Sequence, residues 1–459
     1  MENIISFVKK SHVQYLKELK SFLSIPSISS DPERRIDVVN AANHTAELLS
    51  NAGCSDIAIH FTKGHPIVTG SIISDPDKPT ILIYGHYDVQ PVDPLDLWDH
   101  DPFDAFIKDD TIIARGSADD KGQVFMHFKA AEAFMKVNGK LPINLKFIVE
   151  GEEEVASPNL AKFLSENKEL LSADIVFISD TAMWAQGQPA ITYGLKGLAY
   201  MELELTGPNH DLHSGEYGGA VANPAEILSR MIAQTKDADG RIQIPGFYDK
   251  VIEIDANERE MIANNPFSSD EYKAELGVEE LWGEKGYTTK EHVSVRPTFE
   301  VNGIWGGFTG VGAKTVLPSK AATKISMRLV PDQDPNEIAD IAEKYFKSIA
   351  PKSVQLKVIR HSGGYPVVTP LSSPYIDAAK DALEVSFNRR PLMIRAGGSI
   401  PIVADFKKIL GLDTLLVGFC LPSCRAHSPN ENMHLPSFFT GIESLVRMYD
   451  SFQHISVGD

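Results

Sequence analysis

The fold of this chain is indicated first by residues 81–91, ILIYGHYDVQP, in which a run of apolar side chains ends at a histidine and a carboxylate. The run predicts a buried strand, so His86 and Asp88 stand just past its carboxyl end. Open α/β sheets build their sites at this end of their strands. Imidazole is a common ligand for zinc-like metals, and a carboxylate two positions further on can orient it.

The same arrangement recurs four more times along the chain. Apolar runs precede Asp119 and Asp120 (after 111–114), Glu152, Glu153 and Glu154 (after 143–149), Asp180 (after 174–178) and His427 (after 414–419). Each case alone has an ordinary explanation, such as a helix cap, an acidic turn or a solvated histidine. Five strand ends that carry ligand-type residues are hard to explain as packing, so the pattern predicts one shared site.

The wider pattern predicts a two-domain α/β protein, because 459 residues exceed one ordinary core. Helices are expected at 4–24, 32–50 and 159–169, and strands at 66–73, 80–84, 143–149 and 174–179. This alternation predicts a mainly parallel mixed sheet with flanking helices.

From residue 198 the order of elements becomes β-α-β-β-α-β, which predicts a small two-layer α+β domain. A helix at 374–387 then returns the chain to the first domain. The expected domains are therefore 1–195 with 373–459, and an inserted domain at 196–372. Residues 237–297 are polar and irregular and receive no assignment.

Bulk composition narrows the classes of function. The net charge is −18, and a phosphate-backbone binder needs a positive surface, so neither a nucleic-acid nor a membrane partner is expected. Three cysteines are too few for a disulfide framework and favour a reducing compartment. Two of them, Cys420 and Cys424, lie near His427, but we interpret both as packing residues. The first ten residues lack signal-peptide features and no run reaches a membrane span, so we expect a cytoplasmic protein.

The ligand-type residues are more numerous than one catalytic zinc requires, since that ion keeps three protein ligands. A pair of divalent metals bridged by one carboxylate would use them all and hold a hydroxide against a carbonyl. Nitrogen and oxygen ligands suit zinc, manganese or cobalt. One glutamate of the run 152–154 would be left as general base, and the residues alone do not say which.

At seven places the chain resembles the co-catalytic di-zinc metallopeptidases, the family that includes carnosinases, cytosolic non-specific dipeptidase, aminoacylase and glutamate carboxypeptidase. The motifs run in order: GHYDVQP at 85–91, ARGSADDKG at 114–122, EGEEE at 150–154, DLHSG at 211–215, GAKTVLP at 312–318, GGSIP at 397–401 and AHSPNE at 426–431. The combination is most similar to the carnosinase and non-specific dipeptidase branch. It implies a zinc-exopeptidase-like catalytic domain and an inserted lid and dimerisation domain.

The resemblance implies a role for each residue of the predicted site. The metal ligands would be His86, Asp119, Glu154, Asp180 and His427, with Asp119 bridging two ions. Zn²⁺ is the expected metal, with Mn²⁺ or Co²⁺ as alternatives. Glu153 would be the general base, and Asp88 the carboxylate that orients His86. The peptide bond from Asp119 to Asp120 is expected to be cis.

The resemblance also implies substrate contacts from the inserted domain. Arg328 would bind the substrate carboxylate as a planar bidentate donor, although an arginine on that strand is usually solvated. Gly398 and Ser399 would add short donors near the same group. His213 would reach the active site of a partner subunit and stabilise the oxyanion there, which implies a homodimer. Thr315 would contact the substrate in a similar way.

The implied activity is metal-dependent hydrolysis of the amide bond of dipeptides or small peptides with a free C-terminal carboxylate. A metal-bridged hydroxide would attack, with Glu153 as general base. The alternatives are an N-acyl-amino-acid amidohydrolase, a carboxypeptidase of the same family, or an inactive peptide binder. The intact Glu153 argues against the last. Ala396 stands where many dipeptidases of this branch carry a glutamate, which leaves open whether a free amino terminus is required.

Overall fold

The computed structural model describes residues 1–361, 363–398 and 400–456. The chain forms two compact units. The first consists of Met1–Tyr193, Thr369–Ile394 and Asp405–Asp459, and the second of Gly194–Val368 and Arg395–Ala404. The expected inserted domain, 196–372, covers most of the second unit, which also takes in a short segment that follows it in sequence.

The chain up to Leu195 alternates helices and strands. In chain order these are α1 (Glu2–Lys10), α2 (His12–Leu23), α3 (Arg35–Asn51), β1 (Ser55–His60), β2 (Ile67–Ile72), β3 (Thr80–His86), β4 (Phe106–Lys108), β5 (Thr111–Ile113), α4 (Lys121–Asn138), β6 (Asn144–Glu150), α5 (Leu160–Glu166), β7 (Ile175–Ile178) and β8 (Ala190–Leu195). A single 3₁₀ turn, Glu153–Val155, follows β6.

The next stretch carries β9 (Gly197–Thr206), β10 (Leu212–His213), α6 (Ser214–Tyr217), α7 (Pro224–Ala233), α8 (Ala256–Asn264), α9 (Ser269–Leu276), α10 (Thr289–Ser294), β11 (Thr298–Gly306), β12 (Val316–Leu317), β13 (Lys320–Leu329), α11 (Pro335–Ile349), β14 (Gln355–Arg360) and β15 (Val367–Val368). The last stretch carries α12 (Pro374–Phe387), β16 (Leu392–Ala396), α13 (Pro401–Asp405), β17 (Thr414–Leu416), β18 (Asn432–His434) and α14 (Leu435–Phe452).

The first unit is built on a mixed sheet whose strand order is β1-β2-β6-β3-β7-β17-β8. The central strands β6, β3, β7 and β17 are parallel, and the outer pairs are antiparallel. Parallel strands are buried on both faces, and Ile81, Leu82 and Ile83 of β3 are fully buried. The predicted mixed sheet with flanking helices is therefore confirmed.

Helix α4 lies at the centre of this unit and positions the site. It is buried almost all round from Lys121 to Phe134 and packs against α14 and β3. Gly122 allows its first turn to lie tightly on the preceding loop, because a Cβ there would fall 1.8 Å from the Ser117 carbonyl oxygen. No helix in the described part of the chain is long and apolar enough to cross a membrane.

One strand differs from the predicted arrangement. β5 belongs to a separate three-stranded sheet, β18-β5-β4, rather than to the main sheet. Asp119 therefore reaches the site from the loop that enters α4, and not from the end of a main-sheet strand. An apolar run predicts a strand, but it does not say which sheet the strand joins.

The second unit contains an antiparallel sheet in the order β11-β13-β9-β14. The elements β9, α7, β11, β13, α11 and β14 follow the predicted β-α-β-β-α-β order. Buried side chains of this sheet and of helices α7 and α11 form one apolar core, which includes Leu203, Ile325 and Phe346.

Candidate functional site

The acids and histidines predicted from the sequence converge in the first unit. His86 Nε2 lies 3.0 Å from Asp119 Oδ1 and 3.9 Å from Asp180 Oδ2. His427 Nε2 lies 2.9 Å from Asp119 Oδ2 and 3.3 Å from Glu154 Oε2. The residues come from the end of β3, the loop before α4, the turn after β6, and the segments after β7 and β17. The carboxyl ends of the parallel strands bring them to one edge of the sheet.

These five side chains form two groups that share one carboxylate. His86, Asp119 and Asp180 make one group, and Asp119, Glu154 and His427 make the other. In each group the ligand atoms lie within 4.8 Å of one another. Each group offers one imidazole nitrogen and two carboxylate oxygens, which is a set that zinc, manganese or cobalt accepts. The peptide bond from Asp119 to Asp120 is cis.

The surroundings of the buried His86 Nε2 atom indicate whether a cation would fit this cluster. His86 Nε2 is inaccessible to solvent and, within the described residues, makes no hydrogen bond, although it points at the Asp119 carboxylate. A buried polar atom without a partner is costly unless an ion or water satisfies it. A divalent ion between His86 and the two aspartates would do so. The residues therefore fit such an ion.

The shifted pKa values of the clustered carboxylates and imidazoles also indicate that the site suits divalent ions. Burial and then the charge of Asp119 raise the pKa of Asp180 well above its usual range. Hydrogen bonds to Asp119 and then Glu154 raise the pKa of His427 to about 10. Burial opposes the charged form of His86, but the Asp119 and Asp88 carboxylates outweigh it and raise its pKa. The cluster thus attracts positive charge, which divalent ions would supply.

Asp88 fixes more of the site than its predicted role requires. The carboxylate is fully buried, and its Oδ1 lies 3.4 Å from His86 Nδ1. The same carboxylate accepts hydrogen bonds from the backbone N–H of Glu153 at 3.2 Å and of Glu154 at 3.1 Å. One buried group therefore orients the imidazole and also anchors the acidic turn.

The structure separates the three glutamates of the acidic run. Glu152 accepts hydrogen bonds from His65 N at 3.0 Å and Asn159 Nδ2 at 2.8 Å, so its carboxylate serves local structure. Glu154 lies in the second ligand group. Among the described residues Glu153 is in neither group. Burial raises the pKa of Glu153 to about 8; the charge of His86 opposes this rise, and the neighbouring carboxylates Glu154, Asp119 and Asp88 add to it.

Glu431 is a residue of this site to which sequence reasoning gave no role. Its buried carboxylate accepts hydrogen bonds from the backbone N–H groups of Gly116, Ala118 and Asp119 at 2.9, 2.9 and 3.0 Å. It also forms a 2.9 Å ion pair with the buried Arg115. Glu431 therefore fixes the loop that carries the shared ligand Asp119. The only sequence signal was its place in the AHSPNE motif.

The predicted substrate residues that the structure describes belong to the second unit. Arg328 lies in β13 opposite Thr298 of β11 and Leu198 of β9, and it is half-buried. Gly398 follows β16 and is exposed. Ser399 lies outside the described residues.

The structure brings the predicted residues His213 and Thr315 together. Strand β10 pairs with β12 so that His213 faces Val316, and Ser214 N donates to the Thr315 carbonyl oxygen at 3.1 Å. His213 and Thr315 are both exposed. Asp211, at the base of this ribbon, accepts hydrogen bonds from Ser319 N and Oγ at 2.8 and 2.9 Å. These bonds hold the ribbon in place.

A mixed α/β sheet with two carboxylate–imidazole groups at its carboxyl edge defines a metal-dependent hydrolase. The sequence profile described as Peptidase family M20/M25/M40 matches residues 82–451. The chain belongs to this family. It is a metallopeptidase, as the sequence predicted.

Comparison with individual relatives shows which members of the family this chain resembles. It is 34% identical to the Cys-Gly metallodipeptidase DUG1 of Candida albicans, over 97% of this chain and 96% of the relative. It is 29% identical to the Beta-Ala-His dipeptidase of Homo sapiens, over 96% of this chain and 90% of the relative. The solved M20 family metallo-carboxypeptidase Sso-CP2 of Sulfolobus solfataricus is 34% identical, with a TM-score of 0.85 over 96% of this chain and 99% of that one. The predicted kinship with the carnosinase and non-specific dipeptidase branch is confirmed.

Proposed function

We propose that this protein hydrolyses the amide bond of dipeptides, or of small peptides, that carry a free C-terminal carboxylate. The observation that carries the proposal is the pair of ligand groups that share Asp119. Two of its relatives are dipeptidases named for Cys-Gly and β-Ala-His, and they resemble this chain over nearly its whole length.

His86, Asp119 and Asp180 would hold one divalent ion, and Asp119, Glu154 and His427 the other. Zn²⁺ is the metal we expect, and Mn²⁺ or Co²⁺ suits the same ligands. Two such ions would lower the pKa of a water molecule and polarise the scissile carbonyl. Glu431 would keep Asp119 in the position that lets it serve both ions.

Glu153 is the proton-transfer group in this proposal. It stands next to the ligand Glu154, and its backbone is anchored by Asp88. Its raised pKa suits a carboxylate that accepts a proton from water and then releases it to the leaving nitrogen. Asp88 would hold the turn so that the Glu153 carboxylate keeps one direction through both steps.

We assign recognition of the substrate carboxylate to Arg328, assisted by Gly398 and Ser399. A guanidinium offers two parallel N–H donors to a carboxylate, which a lysine cannot match. Gly398 has no heavy atom near the position of a Cβ, so the backbone there is open to a close approach.

We propose that the protein acts as a homodimer, with His213 and Thr315 contributed to the partner's substrate. Both residues sit exposed on one short ribbon. In addition β11 is an edge strand, and it continues into a loop with further apolar side chains. The exposed apolar residues of this stretch are Val301, Ile304, Trp305 and Phe308. An exposed apolar edge strand is a pairing surface unless it is covered.

We also place the enzyme in the cytoplasm, without nucleic-acid or membrane partners.

A second activity within the same family is a carboxypeptidase or an N-acyl-amino-acid amidohydrolase. The similarity to a metallo-carboxypeptidase favours the first, and Ala396 in place of an acid favours substrates without a free amino terminus. All three activities would use the same metal groups and Arg328. They differ in what lies on the amino side of the scissile bond.

One experiment distinguishes these activities. The protein is stripped with a chelator, reloaded separately with Zn²⁺, Mn²⁺ or Co²⁺, and assayed on Ala-Ala, carnosine, N-acetylalanine and a benzyloxycarbonyl dipeptide. We expect hydrolysis of the dipeptides only, lost on chelation and restored by metal. Turnover of the acylated compounds alone would reject the dipeptidase proposal, and full activity without metal would reject the metal centre.

A further inference from the structure

Gln90, in the motif GHYDVQP, contacts one of the metal-ligand side chains directly. Its amide Nε2 donates a hydrogen bond to Glu154 Oε2 at 2.7 Å. The same oxygen lies 3.3 Å from His427 Nε2, the imidazole of the second ligand group. In the described part of the chain, these are the two side chains whose polar atoms contact the Glu154 carboxylate. Sequence reasoning gave Gln90 no role.

The contact matters because a glutamate ligand has a freely turning end. The last torsion of a glutamate side chain has no sharp preference, so an unheld carboxylate presents either oxygen, or both, to an ion. The Glu154 side chain is only 4% exposed, which leaves water little part in fixing its direction. The hydrogen bond from Gln90 to one particular oxygen restricts this rotation. A ligand that is held in advance loses less freedom when the ion binds.

The donor at position 90 is neutral, which suits a site for cations. An amide supplies an N–H group without changing the charge of the ligand group. A lysine or arginine at this position would repel a divalent ion held by Glu154, and an acid would repel the Glu154 carboxylate itself. Glutamine therefore orients the ligand without weakening its attraction for the ion.

The backbone of Gln90 is fixed on both sides. Val89 N donates to the Ser27 carbonyl oxygen at 3.0 Å, and Arg115 Nη2 donates to the Pro91 carbonyl oxygen at 2.8 Å. Val89 is fully buried, whereas Gln90 is half-buried. A residue that precedes proline is restricted to extended backbone, which limits Gln90 further. The amide group is therefore held from a fixed base.

Arg115 connects Gln90 to the loop that carries the shared ligand. Its Nη2 bonds the residue after Gln90, and its Nη1 forms the 2.9 Å ion pair with Glu431. Glu431 in turn accepts from the backbone N–H of Asp119. One buried arginine thus supports two of the three side chains of the second ligand group, Asp119 through Glu431 and Glu154 through Gln90.

We propose that Gln90 is a positioning residue that fixes the Glu154 carboxylate for the ion of the second ligand group. The inference rests on the proposed function and adds to it a residue that sets the affinity for one ion of the pair. Within the described residues Gln90 makes no hydrogen bond to His86 or Asp180. Its effect should therefore be confined to the second ion.

The first test removes the amide by Gln90→Met, which keeps nearly the same side-chain volume. Calorimetric titration of the chelated protein with Zn²⁺ should show that the affinity for one ion falls about 10- to 100-fold while the other is unchanged. Gln14→Met is the matched control, because Gln14 Nε2 also donates to a glutamate, Glu18 Oε1 at 2.6 Å, on the exposed surface of α2. It should change neither affinity.

A His427→Ala background shows which ion depends on Gln90. That variant keeps only the first ligand group complete, so adding Gln90→Met should leave the affinity of the remaining ion unchanged. The metal-free Gln90→Met protein should also unfold in urea at the wild-type midpoint. A fall in affinity in the His427→Ala background equal to that in the wild-type background would overturn the inference, because Gln90 would then act through the fold as a whole.

Two further readouts separate positioning from a general loss of activity. The visible spectrum of the Co²⁺-loaded protein reports coordination geometry and should change in Gln90→Met. The Zn²⁺ concentration for half-maximal cleavage of Ala-Ala should rise about tenfold or more, with kcat at saturating Zn²⁺ within several-fold of wild type. Wild-type affinities and spectrum in Gln90→Met would overturn this inference and leave the proposed function standing. Failure of the wild-type protein to bind any of these metals would overturn both.

Discussion

The carboxylate of Glu431 accepts a hydrogen bond from the backbone N–H of Asp119 at 3.0 Å, across 312 positions of sequence. The same Oε1 atom accepts from Ala118 N at 2.9 Å, and Oε2 accepts from Gly116 N at 2.9 Å. Three contacts of this kind within residues 116–119 fix a backbone segment rather than a single side chain. The loop that carries the shared ligand is therefore held from the last part of the chain.

We expect Glu431→Gln to weaken metal binding about 10- to 100-fold, as is usual when a group that orients a ligand is lost. A glutamine amide cannot accept hydrogen bonds on both of its polar atoms, so at least one backbone N–H or Arg115 loses its partner. We also expect the free energy of unfolding to fall by about 3 kcal/mol, because the buried Arg115 loses an ionised partner. Metal affinity is measured by calorimetry on the chelated protein.

The matched control for this prediction is Glu47→Gln, on the exposed side of α3. It removes the same charge and should change neither metal affinity nor stability measurably. Loss of stability in Glu431→Gln with unchanged metal affinity would mean that Glu431 supports the fold alone. Wild-type affinity together with wild-type stability would contradict the geometry directly.

Adjacent glutamates should behave in opposite ways. Glu153→Gln should retain two ions per chain and lower kcat about 10²- to 10⁴-fold, since proton transfer contributes this much. Glu152→Gln should keep kcat and lower stability, because the Glu152 carboxylate accepts from His65 N and Asn159 Nδ2. Steady-state kinetics with metal analysis distinguishes them. If Glu152→Gln is the variant that loses kcat, the assignment of the general base is wrong.

The centre of the fold was predictable from sequence because burial leaves a strong pattern. Continuous apolar runs such as 81–84 identify strands that are covered on both faces. The runs could not reveal that β5 joins a different sheet, since sheet membership depends on partners far away in sequence. The predicted helix at 4–24 is in fact two helices, α1 and α2, separated at Ser11. Val13, an apolar residue of this segment, is 83% exposed.

The ligand-type residues were predictable because few residue types bind metals and their motifs are distinctive. Glu431 was not, because its carboxylate acts through backbone N–H groups that only the fold brings near. Residues 237–297 also received no assignment, because their aromatic side chains follow neither helical nor strand periodicity.

The number of metal ions bound per chain should show that the two ligand groups bind their ions separately. His427→Ala removes the only imidazole of the second group and should reduce the metal content from two ions to one per chain. The ion held by His86, Asp119 and Asp180 should remain. Elemental analysis after desalting provides the measurement, and kcat should fall with the lost ion.

His434→Ala is the control, because His434 caps α14 through Ser437 and belongs to neither group; its variant should keep two ions. Retention of both ions by His427→Ala would contradict the assignment.

His127 should make the stability of the protein depend on pH. Its ring nitrogens lie 2.8 Å from Tyr449 Oη and Ser179 Oγ, and burial lowers its pKa from 6.5 to about 3. The unfolded chain takes up a proton near pH 6.5, whereas the folded chain does not, so the stabilising contribution is present above that pH and is lost as the pH falls toward 3. Relative to His127→Gln, the wild-type free energy of unfolding should fall by about 1.4 kcal/mol per pH unit between about pH 6 and pH 4. Urea unfolding of both proteins across this range measures the difference. A difference that stays constant with pH would show that the pKa of His127 is the same in the folded and the unfolded chain.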